Sequence, residues 1–201
     1  MAIGIALWVV RHAEALAPGV CYGQSDVPVG EPADRAAARV IASAPGLRPT
    51  EVWTSPWQRT RPLAEALGAH FDAPVHVDPR LSELHFGQWE GAAYDALERD
   101  EGPRFRAWID DWQRAAPPGG ESLPNLRARV DGWADERYSD RPGADAVATR
   151  VVLAVTHAGV IRCLRARARR IPIDQAWSEP VPHLVAESIA IRSDLSYLKR
   201  P

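Results

Sequence analysis

Two histidines follow apolar runs near opposite ends of the sequence, and their positions predict one shared site. The first run ends in Arg11-His12, and the second, Val151–Thr156, is followed by His157. Each run is typical of a buried strand, and in α/β sheets ligands bind just beyond the carboxyl ends of the strands. A neutral imidazole can act as a nucleophile, and an arginine guanidinium presents a planar fork that suits phosphate oxygens. The pattern favours a single active site at the edge of a sheet.

Two further side chains complete a set that could transfer a phosphoryl group. Arg59 follows Ser55-Pro56, and Glu83 lies in a segment that mixes acids and a histidine with aromatics and glycines. A carboxyl group that is kept protonated could deliver a proton to a leaving oxygen. His157, if protonated, would add positive charge near the transferring group. Each of these residues alone also fits a structural role, in a loop, on a solvated helix face or at a helix cap.

No metal or cofactor is indicated by the sequence. Phosphoryl transfer needs mainly positioning and charge stabilisation, which two arginines, two histidines and one glutamate could supply without a metal. The six histidines show no metal-ligand spacing such as His-Glu-x-x-His, and glycine-rich loops of the P-loop or dinucleotide-binding type are absent. The alternative from another functional class is a non-catalytic module that binds a phosphorylated ligand, although simple binding would not require Glu83.

Short strands that alternate with helices must position these residues. Such alternation predicts an α/β fold, a three-layer α/β/α sandwich whose central sheet is mostly parallel. Ser55-Pro56 is a typical helix start and Gly68 a typical stop, which places Arg59 one turn into a helix. The predicted strands are 3–10, 51–54, 74–77, 151–156 and 187–192, and the predicted helices are 33–44, 55–67, 94–99, 104–114, 123–137 and 160–169.

Length and composition set limits on the domain count, the compartment and the partners. The 201 residues fit one domain, 1–201, with a helical cap-like insertion at about 92–118. A formal charge of −2 gives no basic excess for nucleic acid or an anionic membrane, and no segment approaches the length of a membrane span. Two cysteines and the lack of a signal peptide predict a cytoplasmic protein. A homodimer is compatible with the sequence.

Five segments, in order, resemble motifs of the histidine phosphatase superfamily, in its phosphoglycerate mutase-like branch. Arg11-His12-Ala13 is similar to an Arg-His-Gly motif near the N-terminus, and the segment from Ser55 to Arg59 is similar to Ser-Pro-x-x-Arg. The segment 81–91 resembles the acid-bearing motif, while 119–122 and 155–159 match two more. The resemblance covers about residues 5–165.

The resemblance implies a phosphoglycerate mutase-like fold and specific roles for the residues above. His12 would be the nucleophile that forms a phosphohistidine, and Glu83 would be the proton donor and later the base for water. Glu121 would have a softer role in orienting the pocket. The phosphoryl oxygens would be surrounded by Arg11, Arg59 and His157.

Two positions depart from the family pattern beside the expected phosphate site. Ala13 stands where glycine is usual, and Pro18 occupies the place of an asparagine that lies near the phosphate. One phosphate contact is therefore missing or supplied elsewhere, and the loop 22–26 offers candidates.

The loop 17–28 is similar to that of α-ribazole phosphatase-like proteins, which act in cobalamin synthesis. This resemblance implies α-ribazole 5′-phosphate as a substrate, with a broad-specificity small-molecule or phosphoprotein phosphatase as the alternative. A phosphoglycerate mutase is disfavoured, because mutases of this branch carry longer insertions. The pocket is expected to include Tyr22, Gln24, Ser25, Trp108, Trp112 and Glu121. Trp108 and Trp112, four residues apart, would share a helical face, either packed against the core, which we favour, or as an aromatic wall that stacks a base.

Overall fold

A five-stranded, mostly parallel sheet forms the centre of the molecule. The structure is a computed structural model that describes residues 6–139 and 150–190, so positions 3–5 and 191–192 of the predicted strands lie outside the described residues. The strand order is β3-β2-β4-β1-β5, and β5 is antiparallel to β1. The strands are β1 (Ala6–Arg11), β2 (Glu51–Thr54), β3 (Val75–Val77), β4 (Val151–Thr156) and β5 (Ala186–Ile189).

Helices cover both faces of the sheet, which confirms the predicted three-layer α/β/α sandwich. Because side chains alternate along a strand, Val152 and Ala154 of β4 pack into one core while Leu153 and Val155 pack into the other. The first core is shared with α5, α6 and α7, and the second with α1 and α2. The helices are α1 (Ala33–Ser43), α2 (Arg61–Phe71), α3 (Tyr94–Asp100), α4 (Gly102–Asp110), α5 (Leu123–Ser139), α6 (Ala158–Arg169) and α7 (Ile173–Ser178).

The register of β1 against β4 brings the two predicted histidines together. Arg11 is paired with Thr156 in the parallel ladder, and the backbone N–H of His12 donates to the carbonyl of Thr156 over 3.1 Å. The chain therefore leaves both strands at the same level of the sheet, with His12 and His157 as neighbours.

The predicted limits of α2 were wrong at both ends. The helix begins at Arg61, so Ser55 is not its cap and Arg59 precedes it. At the other end α2 continues through Gly68 and ends at Phe71. Its C-cap residue, Asp72, adopts a left-handed conformation with φ 53°. Gly68 instead allows close packing against Val75, because a Cβ at position 68 would lie 2.4 Å from Cγ2 of Val75.

The segment 92–118 contributes α3 and α4, which pack against the loop that follows β1. Leu97 and Phe105 form a small apolar cluster with Cys21 and Trp89. The predicted pairing of Trp108 and Trp112 on one helical face was wrong, because α4 ends at Asp110 and Trp112 lies in the turn after it. No helix in the described part of the chain is long and apolar enough to cross a membrane.

Candidate active site

A cavity of about 690 Å³ opens at the carboxyl edge of the sheet and contains the residues of the predicted site. Five side chains that were expected to act together line it, and they come from four separate segments of the chain: Arg11, His12, Arg59, Glu83 and His157. The ring centroids of His12 and His157 are 5.1 Å apart, in an edge-to-face arrangement. The fold therefore assembles the predicted set in one place.

The ring of His12 is buried, and a short hydrogen bond fixes the tautomer of its neutral form. Nδ1 lies 2.6 Å from the carbonyl oxygen of Ala13. A carbonyl oxygen can only accept, so Nδ1 carries the proton and Nε2 of the neutral ring holds a lone pair. Burial lowers the pKa of His12 from 6.5 to about 3, and the charges of Arg59 and Arg11 add to this effect. His12 is thus a neutral base with Nε2 unprotonated.

His157 lies between a permanent cation and a hydroxyl group, and both fix its tautomer. Arg59 donates Nε–H to Nδ1 of His157 over 3.2 Å, so the ring proton is on Nε2 and is donated to Oγ of Ser55 over 2.8 Å. Burial and the adjacent Arg59 charge lower the pKa of His157 well below 6.5. The positive charge that the sequence suggested for this histidine is therefore absent from the site as it stands.

Arg59 binds the protein itself through three of its donors. Besides its bond to His157, Nη1 donates to the carbonyl of Ser25 over 2.7 Å and Nη2 donates to the carbonyl of Gly23. The guanidinium also lies over the ring of Tyr22, 5.5 Å from its centroid. Arg59 therefore holds the loop 22–25 against the site while its charge stays in the cavity.

Fewer N–H groups of Arg11 than of Arg59 are hydrogen-bonded to the protein, so the Arg11 guanidinium retains donors for a ligand. Nη1 donates to the carbonyl of Val181 over 2.9 Å, whereas the buried Nε has no hydrogen-bond partner among the described residues. A buried N–H without a partner is costly, and an anion in the cavity would satisfy it.

The carboxylate of Glu83 is held by two backbone N–H groups. Oε1 accepts from Leu84 over 2.9 Å, and Oε2 accepts from Gly159 over 3.0 Å, in the first turn of α6. Gly159 is required for this approach, because a Cβ at that position would lie 2.2 Å from Oε1 of Glu83. The glycine after His157 and the acid of the middle motif therefore form one unit.

Glu90 is a structural residue that anchors the loop 22–25. Its carboxylate accepts hydrogen bonds from the backbone of Gly23, Gln24, Ser25 and Phe86 and from the hydroxyl of Ser25. Burial alone would raise the pKa of Glu90, but these hydrogen bonds lower it below its usual value. The carboxylate is thus saturated with donors inside the protein.

Three residues that were expected in the substrate pocket lie outside the cavity. Ser25 and Gln24 are bound to Glu90, and the side chain of Gln24 donates to the carbonyl of Glu83. Glu121 forms an ion pair with Arg129 at 2.7 Å, and Arg129 in turn donates to the carbonyls of residues 80, 82 and 83. These groups support the backbone around Glu83 and do not line the cavity.

Tyr22, Trp108 and Trp112 do line the cavity, in two different aromatic groups. Trp108 packs on Phe86, with ring centroids 5.9 Å apart. Trp112 packs on Trp177, a residue of α7, at 5.0 Å. Pro18, which replaces the asparagine of the family pattern, lines the cavity without a polar side chain. Of the loop 22–26, Tyr22 is the residue that lines the cavity.

His183 and Arg162 line the cavity, although the sequence did not predict them as site residues. His183 donates Nδ1–H to the carbonyl of His12 over 2.6 Å, and its ring centroid lies 5.4 Å from that of His12. No pattern around His183 indicated this contact, which depends on the return of the chain beside β1. Arg162 lies three residues after Gly159, so a helical projection of α6 could have placed it on the same side.

The donor set does not form a metal site. Within 6–139 and 150–190, no group of three or more histidine, cysteine, aspartate or glutamate side chains could hold a metal ion.

Known proteins match most of the chain. Residues 7–198 match the family model of the histidine phosphatase superfamily (branch 1). An adenosylcobalamin/alpha-ribazole phosphatase of Salmonella typhimurium is 31% identical over 176 residues, which cover 85% of this chain and 83% of that protein. A glucosyl-3-phosphoglycerate phosphatase of Mycobacterium tuberculosis is 31% identical over 169 residues, covering 76% and 74%. The crystal structure of the alpha-ribazole phosphatase from Shigella flexneri has a TM-score of 0.80 at 26% identity and covers 94% of this chain and 92% of its own.

Proposed function

The chain belongs to branch 1 of the histidine phosphatase superfamily and is a phosphatase of small phosphorylated metabolites, and we propose that His12 is the residue that carries the phosphoryl group. The observation that supports this role is the 2.6 Å bond from Nδ1 of His12 to the carbonyl of Ala13. That bond leaves the lone pair on Nε2, which is the atom that a nucleophilic imidazole needs.

In the first step, Nε2 of His12 attacks phosphorus while the bond from phosphorus to the leaving oxygen breaks. Glu83, protonated, gives its proton to that oxygen, so the alcohol departs neutral. In the second step Glu83, now a carboxylate, takes a proton from water, and the hydroxide oxygen attacks phosphorus as the bond to Nε2 breaks. Inorganic phosphate leaves, and His12 and Glu83 return to their starting states.

The three equatorial oxygens of the transferring group are assigned to Arg11, Arg59 and His157. The free Nε–H of Arg11 and the charge of Arg59 would stabilise the negative charge on these oxygens. A bound dianion would also raise the pKa of His157, and protonation of Nδ1 would release the Nε–H of Arg59, so that both groups could then donate to phosphoryl oxygens. His157 would become a cation only when the substrate is present.

The proposed substrate is α-ribazole 5′-phosphate. Its support is the similarity to the alpha-ribazole phosphatases of Salmonella typhimurium and Shigella flexneri, together with aromatic rings on the cavity wall that could stack a base. A broad-specificity phosphatase is the alternative, and it predicts little difference in rate between this ester and a simple aryl phosphate.

We also propose a cap role for the segment 92–118 within a single domain, because Trp108, Ile109 and Trp112 stand on the cavity wall. The free cysteines Cys21 and Cys163 support a cytoplasmic location, and a formal charge of −2 supports a protein without a nucleic-acid partner.

The decisive experiment compares the wild type with His12→Ala in a chelator-treated assay. We expect wild-type turnover of α-ribazole 5′-phosphate, an acid-labile phosphoprotein trapped by rapid quench, and loss of both in His12→Ala. His70→Ala, which removes an exposed histidine at the end of α2, is the matched control and should retain activity. Full activity of His12→Ala would exclude the mechanism. A panel of phosphoglycerates, nucleotides, sugar phosphates and aryl phosphates then ranks the substrates.

A further inference from the structure

Arg162 brings a third arginine into the cavity, and the mechanism above does not use it. It lies on α6 one turn beyond Gly159, half-buried, with its side chain on the cavity wall. Its Nε is buried without a hydrogen-bond partner, and its guanidinium forms no ion pair within the described ranges. A cation that is partly desolvated and unpaired is unfavourable unless a ligand completes it.

The other arginines around this position have partners. In the cavity, Arg11 and Arg59 donate to backbone carbonyls. On α6 itself, the arginines that follow are paired with acids: Arg165 with Glu187, Arg167 with Asp131 and Asp135, and Arg169 with Glu179. Arg162 differs from all of these because, within the described segments, its guanidinium has neither a hydrogen-bond partner nor an ion-pair partner.

The guanidinium is nevertheless held in a defined place. It lies over the ring of Trp177 at 5.1 Å from the centroid, and Trp177 packs on Trp112 at 5.0 Å. Stacking engages the face of a guanidinium and leaves the N–H groups in its plane free to donate. Arg162 is therefore a preorganised donor beside an aromatic surface.

The surroundings of Arg162 favour an incoming negative charge. Burial lowers the pKa of Arg162, and although Glu83 opposes this effect, Arg11 and Arg165 reinforce it as like charges. Glu83 itself is held by the backbone of Leu84 and Gly159 and forms no ion pair within the described part of the chain. Glu83 therefore offsets the charge on Arg162 only at a distance, and no acid of the described residues forms an ion pair with it.

We propose that Arg162 binds a second anionic group, a carboxylate or a phosphate ester, on the leaving portion of the substrate. The inference rests on the proposed function, because the first anionic group is the phosphoryl group bound at His12. The phosphoryl oxygens already have Arg11, Arg59 and His157, and a cavity of about 690 Å³ exceeds the space that one phosphate needs.

The test uses pairs of substrates that differ in one anionic group. AMP and adenosine 3′,5′-bisphosphate differ by a phosphate ester, and glycerol 3-phosphate and 3-phosphoglycerate differ by a carboxylate. The wild type should show a higher kcat/KM for the second member of at least one pair. For adenosine 3′,5′-bisphosphate, product chromatography confirms that the 5′-phosphate is the one released. Arg162→Gln should reduce that preference about 10–100-fold, the range for a hydrogen bond to a charged group, and the pair that responds identifies the anion.

Three controls isolate the effect of the Arg162 guanidinium. Arg169→Gln removes the same charge from an exposed position of α6 and should keep the preference. Arg162→Lys keeps the charge without the planar fork and should retain part of it. Inhibition by inorganic phosphate should be unchanged in Arg162→Gln.

Two results would overturn the proposal. One is a wild type without preference in either pair, and the other is Arg162→Gln losing activity equally on both members or losing none. Equal losses with weaker phosphate inhibition would assign Arg162 to the transferred phosphoryl group. If instead no monoester is hydrolysed in a His12-dependent manner, the proposed function itself fails, which is a different outcome.

Discussion

Arg59 and His157 are joined by a 3.2 Å hydrogen bond in which the arginine Nε–H donates to Nδ1 of the histidine. A permanent cation thereby sets the tautomer of its neighbour, and the ring proton on Nε2 is directed toward Ser55. The hydroxyl of Ser55 lies 2.7 Å from that of Thr60, so the chain of donors continues into the turn before α2. The residues that we propose to bind phosphate are therefore coupled through a buried polar network.

Ser55→Ala should weaken both stability and catalysis, because it leaves Nε2–H of His157 without an acceptor in a buried site. We expect the free energy of unfolding to fall by about 1–3 kcal/mol, the usual cost of an unsatisfied buried donor. We expect kcat/KM to fall about tenfold, equivalent to ~1.4 kcal/mol. Urea unfolding and aryl phosphate hydrolysis measure the two effects. Thr60→Ser keeps the hydroxyl network and should change neither by much.

Gly159→Ala should impair proton donation by Glu83 more than phosphate binding. The new methyl group would lie 2.2 Å from Oε1, so the carboxylate must move. We expect kcat/KM for phenyl phosphate to fall about 100-fold, within the range for general acid catalysis, and kcat/KM for p-nitrophenyl phosphate to fall less, because that leaving group departs without a proton. Gly132→Ala makes the same change in α5, where a Cβ meets open space, and should leave activity intact. Equal losses on both esters would contradict the assignment.

Glu90→Gln should lower mainly the stability of the protein, whereas Glu83→Gln should lower mainly its turnover. The amide introduced at position 90 would place its N–H groups against backbone donors, so we expect about 2 kcal/mol or more of destabilisation. Glu83→Gln should lose turnover about 100-fold with a smaller loss of stability, because its amide NH2 would meet one backbone donor, that of Leu84 or that of Gly159. Steady-state kinetics and urea titrations on the same preparations compare the two variants. The reverse pattern would make Glu90 the catalytic acid.

Acid should destabilise the protein through its buried histidines. The pKa of His12 is lowered from 6.5 to about 3, so between these values the unfolded chain binds a proton that the folded chain does not. Stability is therefore lost as pH falls through this window. Between pH 7 and 5, His12 alone should cost about 2 kcal/mol, at about 1.36 kcal/mol per unit. His12→Asn should show a smaller fall in urea-unfolding free energy, and parallel pH profiles for the two proteins would argue against a neutral buried His12.

The sheet and the meeting of the candidate site residues in one cavity were predictable because both depend on local patterns. An apolar run that stops at Arg11-His12, and another that stops at His157, place polar groups at strand ends whatever the rest of the chain does. The limits of α2 were not predictable in the same way. Ser55 has the right chemistry for a helix cap, but its hydroxyl is bound by His157, which lies 102 residues away.

The pocket wall was less predictable than the phosphate site. The sequence placed Gln24 and Ser25 in the pocket because they lie in a loop, but in the structure both residues donate hydrogen bonds to Glu90. His183 carries no motif and gains its place from the return of the chain beside β1. Such contacts between distant segments leave no local pattern to read.

The segment around Arg11-His12 is synthesised early, but the hydrogen bonds that restrain it form late in folding. Arg11 donates to Val181, Leu184 donates to the carbonyl of Arg11, and His183 donates to the carbonyl of His12, with sequence separations of 170 and 171 for the two side-chain bonds. Contacts of such separation form late in folding because the loop between them must close first. On the ribosome, every motif of the proposed site has been synthesised once Gly159 is added, but the proposed nucleophile, His12, is still without these contacts. Hydrolysis should therefore begin only after α7 and β5 have been made.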